Sequence, residues 1–176
     1  MYMWIGVGVG VGVLVLAGLF AAGCEVATPF RWAASSKNTG SKDTGVTLPD
    51  TGAKVVVAIT HAKLGSKRGL FYDYSRNVVE ALPQCEGYIG HSIRRTIRGD
   101  EAWTMTVWRD HEAIEGFMAL PEHRRAMKDG MAAIMRGQFA RMEWASSEMP
   151  PSWDEVKRRL KDEPWSEYGR PTESGR

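Results

Sequence analysis

The residues of this chain with the clearest chemical potential are its histidines. His123 shares a helical stripe with Met127, Met131 and Ile134, so the spacing predicts that its ring faces the space between a helix and a sheet. An imidazole in that position can act as a general base or as an iron ligand. The competing interpretation is a buried or rim histidine that is hydrogen-bonded to backbone.

A second histidine lies on a predicted strand. His91 alternates with Ile89 and Ile93, which places it on an apolar face, whereas Ser92 and Arg94 point to the opposite face. A histidine on an apolar face must find a hydrogen-bond partner or stay neutral. We therefore treat His91 as a residue of a ligand pocket.

His61 and Trp103 complete, with His123, our set of candidate catalytic residues. The four histidines do not have the spacing of a site with two histidines and one carboxylate. Cys24 and Cys85 show neither metal nor CxxC spacing. We predict no metal site.

Large aromatic and sulfur-containing side chains recur along the same region. They can line an apolar pocket for a flat or isoprenoid-like molecule, or they can simply form the core. The candidate pocket residues are Tyr74, His91, Met105, Trp108, Phe117, Met127 and Phe139.

The element that positions these groups is the stretch Ala102–Trp108. It is rich in β-branched and aromatic residues and contains neither glycine nor proline, which is typical of a central strand. Trp103 and Met105 point to one face and Trp108 to the other, so both faces need a cover.

The predicted elements follow the order β, α, β, β, α, β, the split βαβ pattern of a ferredoxin-like α+β sandwich. Two helices then cover one face of the sheet, and pairing two sheets face to face would cover the other, which predicts a homodimer. The elements are a strand at 55–62, a helix at 70–82 ending at Pro83, a hairpin at 87–108, a helix capped by Asp110, a second helical piece from Pro121 to Gly137, and a strand at 138–144.

Composition limits the architecture to one modest domain with appendages. The chain has 176 residues, of which 25% are charged, and a net charge of +2, which gives no case for nucleic-acid binding. We divide it into residues 1–24, a flexible linker at 25–53, the ferredoxin-like domain at 54–147, and a C-terminal part at 148–176. That last part holds a helix opened by the capping box Ser152–Glu155 and then a polar tail.

The N-terminal segment carries no charged residue from Trp4 to Cys24, and as a helix it would span roughly 30 Å. We predict a single transmembrane helix. Because Lys and Arg occur only after it, the domain is expected in the cytoplasm. The alternative is a lipoprotein signal with Cys24 as the lipidated residue, which would place the domain outside.

Residues 54–147 resemble the dimeric α+β barrel superfamily, in particular antibiotic-biosynthesis-monooxygenase-like domains and their haem-degrading relatives. The resemblance rests on the strand 102–108 running into Arg109–Ala113 and on the later stretch Pro121–Met127. It implies a homodimer with a pocket between sheet and helices, and either haem or no cofactor. Cofactor-independent members let an electron-rich substrate react with dioxygen directly.

In the haem-degrading branch a tryptophan, a histidine and an asparagine hold haem. Their positions fall here on Phe117, on Met127, and near Thr60 or His61. Because the tryptophan and histidine positions are changed, the resemblance does not imply haem degradation by that mechanism.

Three hypotheses remain open. The first is a membrane-anchored monooxygenase-like enzyme that acts on an apolar small molecule. The second is a non-catalytic module that binds haem or another small ligand. The third is a structural dimerisation module whose pocket is packed shut.

Overall fold

The computed structural model describes residues 24–33 and 52–168 of the chain. These residues form seven strands and four α-helices. The elements are β1 Glu25–Ala27, β2 Arg31–Trp32, β3 Lys54–Leu64, α1 Arg68–Ala81, β4 Tyr88–Thr96, β5 Glu101–Trp108, α2 His111–Met118, α3 Pro121–Asp129, β6 Ile134–Ala145, α4 Trp153–Leu160 and β7 Ser166–Glu167.

The strands form one antiparallel sheet in the order β1-β4-β5-β3-β6-β7, with β2 also paired to β4. The four long strands therefore follow the order β4-β5-β3-β6. Together with α1 between β3 and β4 and α2 and α3 between β5 and β6, this is the ferredoxin-like arrangement. The predicted α+β class and split βαβ order are confirmed.

Local signals in the sequence start the helices where they were expected. The Asp110 carboxylate accepts a hydrogen bond of 2.8 Å from the Ala113 N–H at the start of α2. Pro121 is the first residue of α3. The Ser152 hydroxyl accepts a hydrogen bond of 3.2 Å from the Glu155 N–H, which opens α4.

The predicted helix end at Gly137 is wrong. The helix α3 ends at Asp129, a short 3-10 turn covers 130–133, and Gly137 lies within β6. Glycine is needed there for space, because a Cβ atom would lie 2.9 Å from the Phe139 ring and 3.3 Å from the His61 carbonyl oxygen.

Both faces of the sheet are buried, as the apolar pattern of β5 predicts. Trp108 packs with Ile114 and Phe117 beneath the helices α1–α3. Trp103 and Met105, whose side chains are 2% and 1% exposed, pack on the opposite face. The central strand thus separates two apolar layers.

The second face is covered by segments of the same chain. Val156 and Leu160 of α4 are buried in the cluster that contains Trp103, and Phe30 and Trp32 pack against it. The second face of the sheet is therefore covered, as expected, but by α4 and the N-terminal segment 24–33, so a partner protomer is not required to cover it. Formation of a homodimer stays a prediction.

Two predicted boundaries need correction. Residues 25–33 were predicted as part of a flexible linker, but β1 and β2 pair with β4 in the sheet. Ser166 and Glu167 were predicted as part of a polar tail, but they pair with Gly137 and Arg136 of β6. Both segments are held by backbone hydrogen bonds at the edges of the sheet. Such pairing does not require apolar side chains, so the apolar content of the sequence did not indicate it.

The predicted transmembrane segment at 4–24 lies outside the described residues except for Cys24. Residues 34–51 and 169–176 also lie outside them. Within the residues that the structure does describe, no helix is both long enough and apolar enough to cross a bilayer.

Candidate functional site

A cavity of about 290 Å³ lies between the sheet and the helices α1–α3. Its floor comes from the helix-facing side of the four long strands, and its roof comes from α1, α2 and α3. Most of its lining is apolar. The polar side chains on its wall are Thr60, Tyr74, Ser75, His91, Thr104, Thr106, His123 and Arg141.

His123 projects from α3 into this cavity. Its ring packs edge-on against Phe117, with ring centroids 4.4 Å apart. The Nδ1 atom is buried and has no hydrogen-bond partner among the described residues. Burial lowers the pKa of His123 below its ordinary value of 6.5, a hydrogen bond with the Met118 backbone raises it, and the nearby Arg141 charge lowers it. His123 is therefore a neutral imidazole on the wall of an apolar cavity, and its buried Nδ1 atom has no partner among the described residues.

The predicted helical stripe of His123 holds only in part, because His123 and Met127 lie on α3, whereas Met131 lies in the 3-10 turn and Ile134 is the first residue of β6. Met127, Met131 and Ile134 line the same cavity. Met127 is 40% exposed and lies towards the mouth. Within α3 the 3.6-residue period places His123 and Met127 on one side of the helix, and this side faces the cavity.

His91 also reaches the cavity, but not in the way that simple alternation predicts. A β-bulge in β4 places Tyr88 opposite Trp108 and Gly90 opposite Val107. The extra residue turns Ile89 into the opposite cluster with Trp103, whereas His91 faces the helices. The predicted shared face of Ile89 and His91 is therefore wrong.

His61 and Trp103 do not lie in this cavity. They are register partners on β3 and β5, and their rings stack with centroids 4.4 Å apart on the face covered by α4. The neighbouring Thr60 and Thr104 face the cavity instead, because successive side chains alternate across a strand. The structure thus does not bring the three candidate catalytic residues together.

The surroundings of His61 explain its position in structural terms. The Gln138 amide N–H₂ donates to the Leu160 and Glu163 carbonyl oxygens, so the Gln138 carbonyl oxygen is left to accept from His61 Nδ1 at 3.0 Å. The Trp165 ring packs edge-on at 4.6 Å. Burial lowers the pKa of His61, and the Gln138 bond and the Glu101 charge raise it. His61 ties the C-terminal tail to the sheet.

Five of the seven candidate pocket residues place their side chains on the cavity, namely Tyr74, His91, Phe117, Met127 and Phe139, whereas the Met105 side chain packs on the opposite face of the sheet. Trp108 lies behind Phe117, with ring centroids 4.8 Å apart, and its indole N–H donates to the Thr106 hydroxyl at 2.9 Å. It supports the wall without lining it.

Four polar residues on the cavity wall were missed by the sequence analysis, namely Ser75, Thr104, Thr106 and Arg141. Thr104 and Thr106 alternate with Trp103 and Met105, so the period of β5 already held the signal that they share the other face. Arg141, which pairs with Glu115, also lines the cavity. The strand predicted at 138–144 held the signal for it, because alternation along that strand places Arg141 on the same face as Phe139.

No group of three or more metal-ligating side chains occurs within residues 24–33 and 52–168. For haem, the test is the size of the cavity. Cavities of roughly 300–1,000 Å³ are typical for drug-sized ligands, and haem is larger than that class. At about 290 Å³ the cavity does not fit haem with the side chains as they stand.

Residues 55–129 match the family described as antibiotic biosynthesis monooxygenase. The match contains β3, β4, β5 and the helices α1–α3, and with them His91 and His123. It confirms the resemblance to antibiotic-biosynthesis-monooxygenase-like domains for this part of the chain. No curated protein matches the chain.

Several solved structures are similar in part. SnoaB from Streptomyces nogalater, described as a cofactor-independent oxygenase, is 15% identical, with coverage of 57% of this chain and 99% of that one and a TM-score of 0.44. Rv0793 from Mycobacterium tuberculosis is 13% identical, with coverage of 52% and 93% and a TM-score of 0.46. A conserved protein from Methanosarcina mazei Go1 is 9% identical, with coverage of 52% and 91% and a TM-score of 0.46.

Proposed function

We propose that this chain is a monooxygenase-like enzyme that oxidises an apolar small molecule inside the cavity between the sheet and α1–α3. The observation that carries the proposal is His123, whose Nδ1 atom is buried without a partner on the wall of an otherwise apolar cavity. The match of residues 55–129 to the antibiotic biosynthesis monooxygenase family supports the reaction class.

The chemistry follows from a base in an apolar space. His123 takes a proton from an acidic C–H group of the substrate, and the electron pair stays on the substrate as an enolate. The enolate gives electrons to dioxygen, and a carbon–oxygen bond forms. The O–O bond then breaks, so that one oxygen atom stays as a carbonyl and the other leaves as water with the two hydrogens of the original methylene group.

The surroundings of His123 suit this role. Because burial lowers the pKa of His123, the ring is unprotonated at neutral pH and can accept a proton. The apolar lining, to which Phe117 and Met131 contribute, excludes water from the reactive enolate. A base can activate only a substrate that has a proton to lose. We therefore expect a flat, apolar molecule that carries an acidic C–H or O–H group.

Anthrone is a suitable probe, because it is flat and apolar and its methylene carbon is acidic. The full chain is incubated with anthrone under isotopically labelled dioxygen, and the product is analysed by mass spectrometry. We expect anthraquinone with one labelled oxygen atom, formed faster than in the protein-free control. His123→Ala should reduce the rate about 100-fold, whereas His111→Ala, at an exposed position on α2, should not.

Two outcomes would contradict the proposal. Saturable binding of anthrone without turnover would favour a non-catalytic ligand-binding module. Turnover that is the same in the His123→Ala and His111→Ala variants would exclude His123 as the base.

We also propose that residues 4–24 anchor the domain in a membrane. The support is the absence of charged residues from Trp4 to Cys24. Cys24 is the residue at which this segment joins the fold. Its carbonyl oxygen accepts a hydrogen bond of 2.9 Å from the backbone N–H of the exposed Ile97, so this junction lies at the surface of the domain. Recovery of the full chain in the membrane fraction after alkaline extraction would support the anchor, and loss of anchoring in Cys24→Ser alone would favour the lipoprotein alternative over a retained helix.

A further inference from the structure

We propose that Tyr88 and His91 form an oxyanion-binding subsite in the floor of the cavity. In this subsite His91 donates its Nε2–H to a negatively charged substrate oxygen, and Tyr88 fixes the His91 tautomer that can do so. The catalytic part of this inference rests on the proposed function, whereas the tautomer does not.

Tyr88 and His91 form a buried hydrogen-bonded pair. The Tyr88 hydroxyl lies 2.5 Å from His91 Nδ1, and the two residues are 9% and 8% exposed. The bulge at Tyr88–Gly90 puts both side chains on the same side of β4, although their positions differ by an odd number, three. Because His91 lines the cavity and its Nδ1 atom is occupied, Nε2 is the nitrogen left for a ligand.

The direction of this hydrogen bond follows from the partners of the Tyr88 hydroxyl. Within the part of the chain that the structure describes, His91 Nδ1 is the one hydrogen-bond partner of the Tyr88 hydroxyl. If His91 Nδ1–H donated to Tyr88, the buried Tyr88 O–H would be left without an acceptor, which costs free energy. The Tyr88 O–H therefore donates, His91 Nδ1 accepts, and the proton of the neutral ring lies on Nε2.

The charges around the pair support this assignment. Burial lowers the pKa of His91, and the Arg31 cation, whose residue is the register partner of His91 on β2, lowers it further. Burial and the neighbouring Cys85 raise the pKa of Tyr88, and Arg31 opposes this. A neutral imidazole and a protonated phenol are the states in which Tyr88 donates to His91. Arg31 adds a positive charge that favours an anionic oxygen nearby.

The two cavity histidines then have different roles. His123 lies on the helix roof and its free Nδ1 atom can take a proton. His91 lies on the sheet floor and offers an N–H donor. When a proton moves from the substrate to His123, the negative charge develops on the enolate oxygen, and a preorganised donor at that oxygen stabilises it. The subsite thus selects molecules with a carbonyl or hydroxyl oxygen conjugated to the acidic group.

The tautomer can be measured without any turnover. The full chain, in detergent micelles and labelled at the histidine nitrogens, is studied by imidazole nitrogen NMR, and the His91 signals are assigned from their loss in His91→Leu. We expect the Nε2–H tautomer in the parent protein and a mixture of tautomers in Tyr88→Phe, which keeps the aromatic ring but removes the O–H. Tyr74→Phe, in the same cavity wall, is the matched control and should leave His91 unchanged.

Kinetics with anthrone test the catalytic part. We expect His91→Leu to lower kcat about 100-fold with little change in KM, His91→Gln to restore part of the rate because its amide can donate, and Tyr88→Phe to lower kcat less. An Nδ1–H tautomer in the parent protein, or no change in Tyr88→Phe, would overturn the inference even if the enzyme turns over anthrone. If the parent protein does not turn over anthrone, the proposed function fails for this probe, while the NMR result still decides the tautomer.

Discussion

His61 lies flat on Trp103, with ring centroids 4.4 Å apart and an angle of 18° between the ring planes. The pair is on the face covered by α4, where Lys157 lies 4.8 Å from the centre of the Trp103 ring. The sheet separates it from His123. Stacking and burial, rather than chemistry in the cavity, therefore explain why these two rings are together.

The first prediction concerns the stability of this layer. Trp103 is 2% exposed, and removing a buried tryptophan side chain leaves a cavity that the surrounding residues fill only in part. We expect Trp103→Ala to reduce the free energy of unfolding by about 3–5 kcal/mol. The measurement is equilibrium unfolding in urea.

The control for this variant is Ile97→Ala, since Ile97 is 57% exposed and should cost little. A loss below about 1 kcal/mol in Trp103→Ala would be too small for a buried large side chain. It would show that this face of the sheet is not packed as described.

The period of the sequence was sufficient to predict the central part of the fold. In Ala102–Trp108 the alternation of tryptophan, methionine and valine with threonine fixed which residues share a face. The 3.6-residue period placed His123 and Met127 on one side of α3, facing the cavity. Both patterns are local, and both are confirmed by the structure.

Features that depend on distant residues were not predictable in this way. The bulge in β4 is set by its pairing with β5, and it changes the face on which His91 lies. The sequence did not show that Thr60, and not His61, faces the helices. A strand with apolar residues on both faces has no polar face that would indicate which side points to the solvent. Docking of α4 on the second face depends on contacts across the whole domain.

The second prediction concerns acid stability. Burial lowers the pKa of His61, His91 and His123 below the ordinary value of 6.5. Between the lowered pKa and 6.5 the unfolded chain binds more protons than the folded chain, so the free energy of unfolding falls as the pH falls through this range. Above pH 6.5 these three histidines are neutral in both the folded and the unfolded chain, so they should add almost no pH dependence to the free energy of unfolding.

Unfolding in urea at a series of pH values from 7.5 down to about 5 tests this expectation. Replacing His61 by Gln should make the slope shallower, because one of the three groups is removed. Replacing the exposed His111 by Gln is the control. Stability that rises on acidification would contradict the burial of these rings as neutral groups.

The third prediction concerns the cavity. Ala126 lies on the wall formed by α3, next to His123 in the helical stripe. Ala126→Leu fills part of a cavity of about 290 Å³ and leaves both cavity histidines, His123 and His91, in the chain. We expect weaker binding of anthrone and a higher KM, with stability changed by less than about 1.5 kcal/mol. Fluorescence titration and calorimetry are the measurements.

Ala132→Leu provides the matched control, because Ala132 is exposed in the turn after α3. It adds the same side-chain volume outside the cavity. Equal anthrone affinity in the Ala126→Leu and Ala132→Leu variants would mean that the probe binds elsewhere.

The fourth prediction concerns association between copies of the chain. The face that pairing of two sheets would use is occupied by α4, whose Val156 and Leu160 are 0% and 2% exposed. Face-to-face pairing therefore requires α4 to move away. Val156→Asp puts a charge into this layer and should displace α4, since a buried unpaired carboxylate is costly. We expect the variant to show a larger dimer fraction than the parent protein in light scattering at micromolar concentration, because the uncovered apolar face can be buried again only against a second copy or another apolar surface.

Lys161→Asp, at an exposed position just after α4, introduces the same carboxylate and should leave the dimer fraction unchanged. If proteolysis shows that α4 is released in Val156→Asp while the dimer fraction does not rise, this face does not mediate a homodimer.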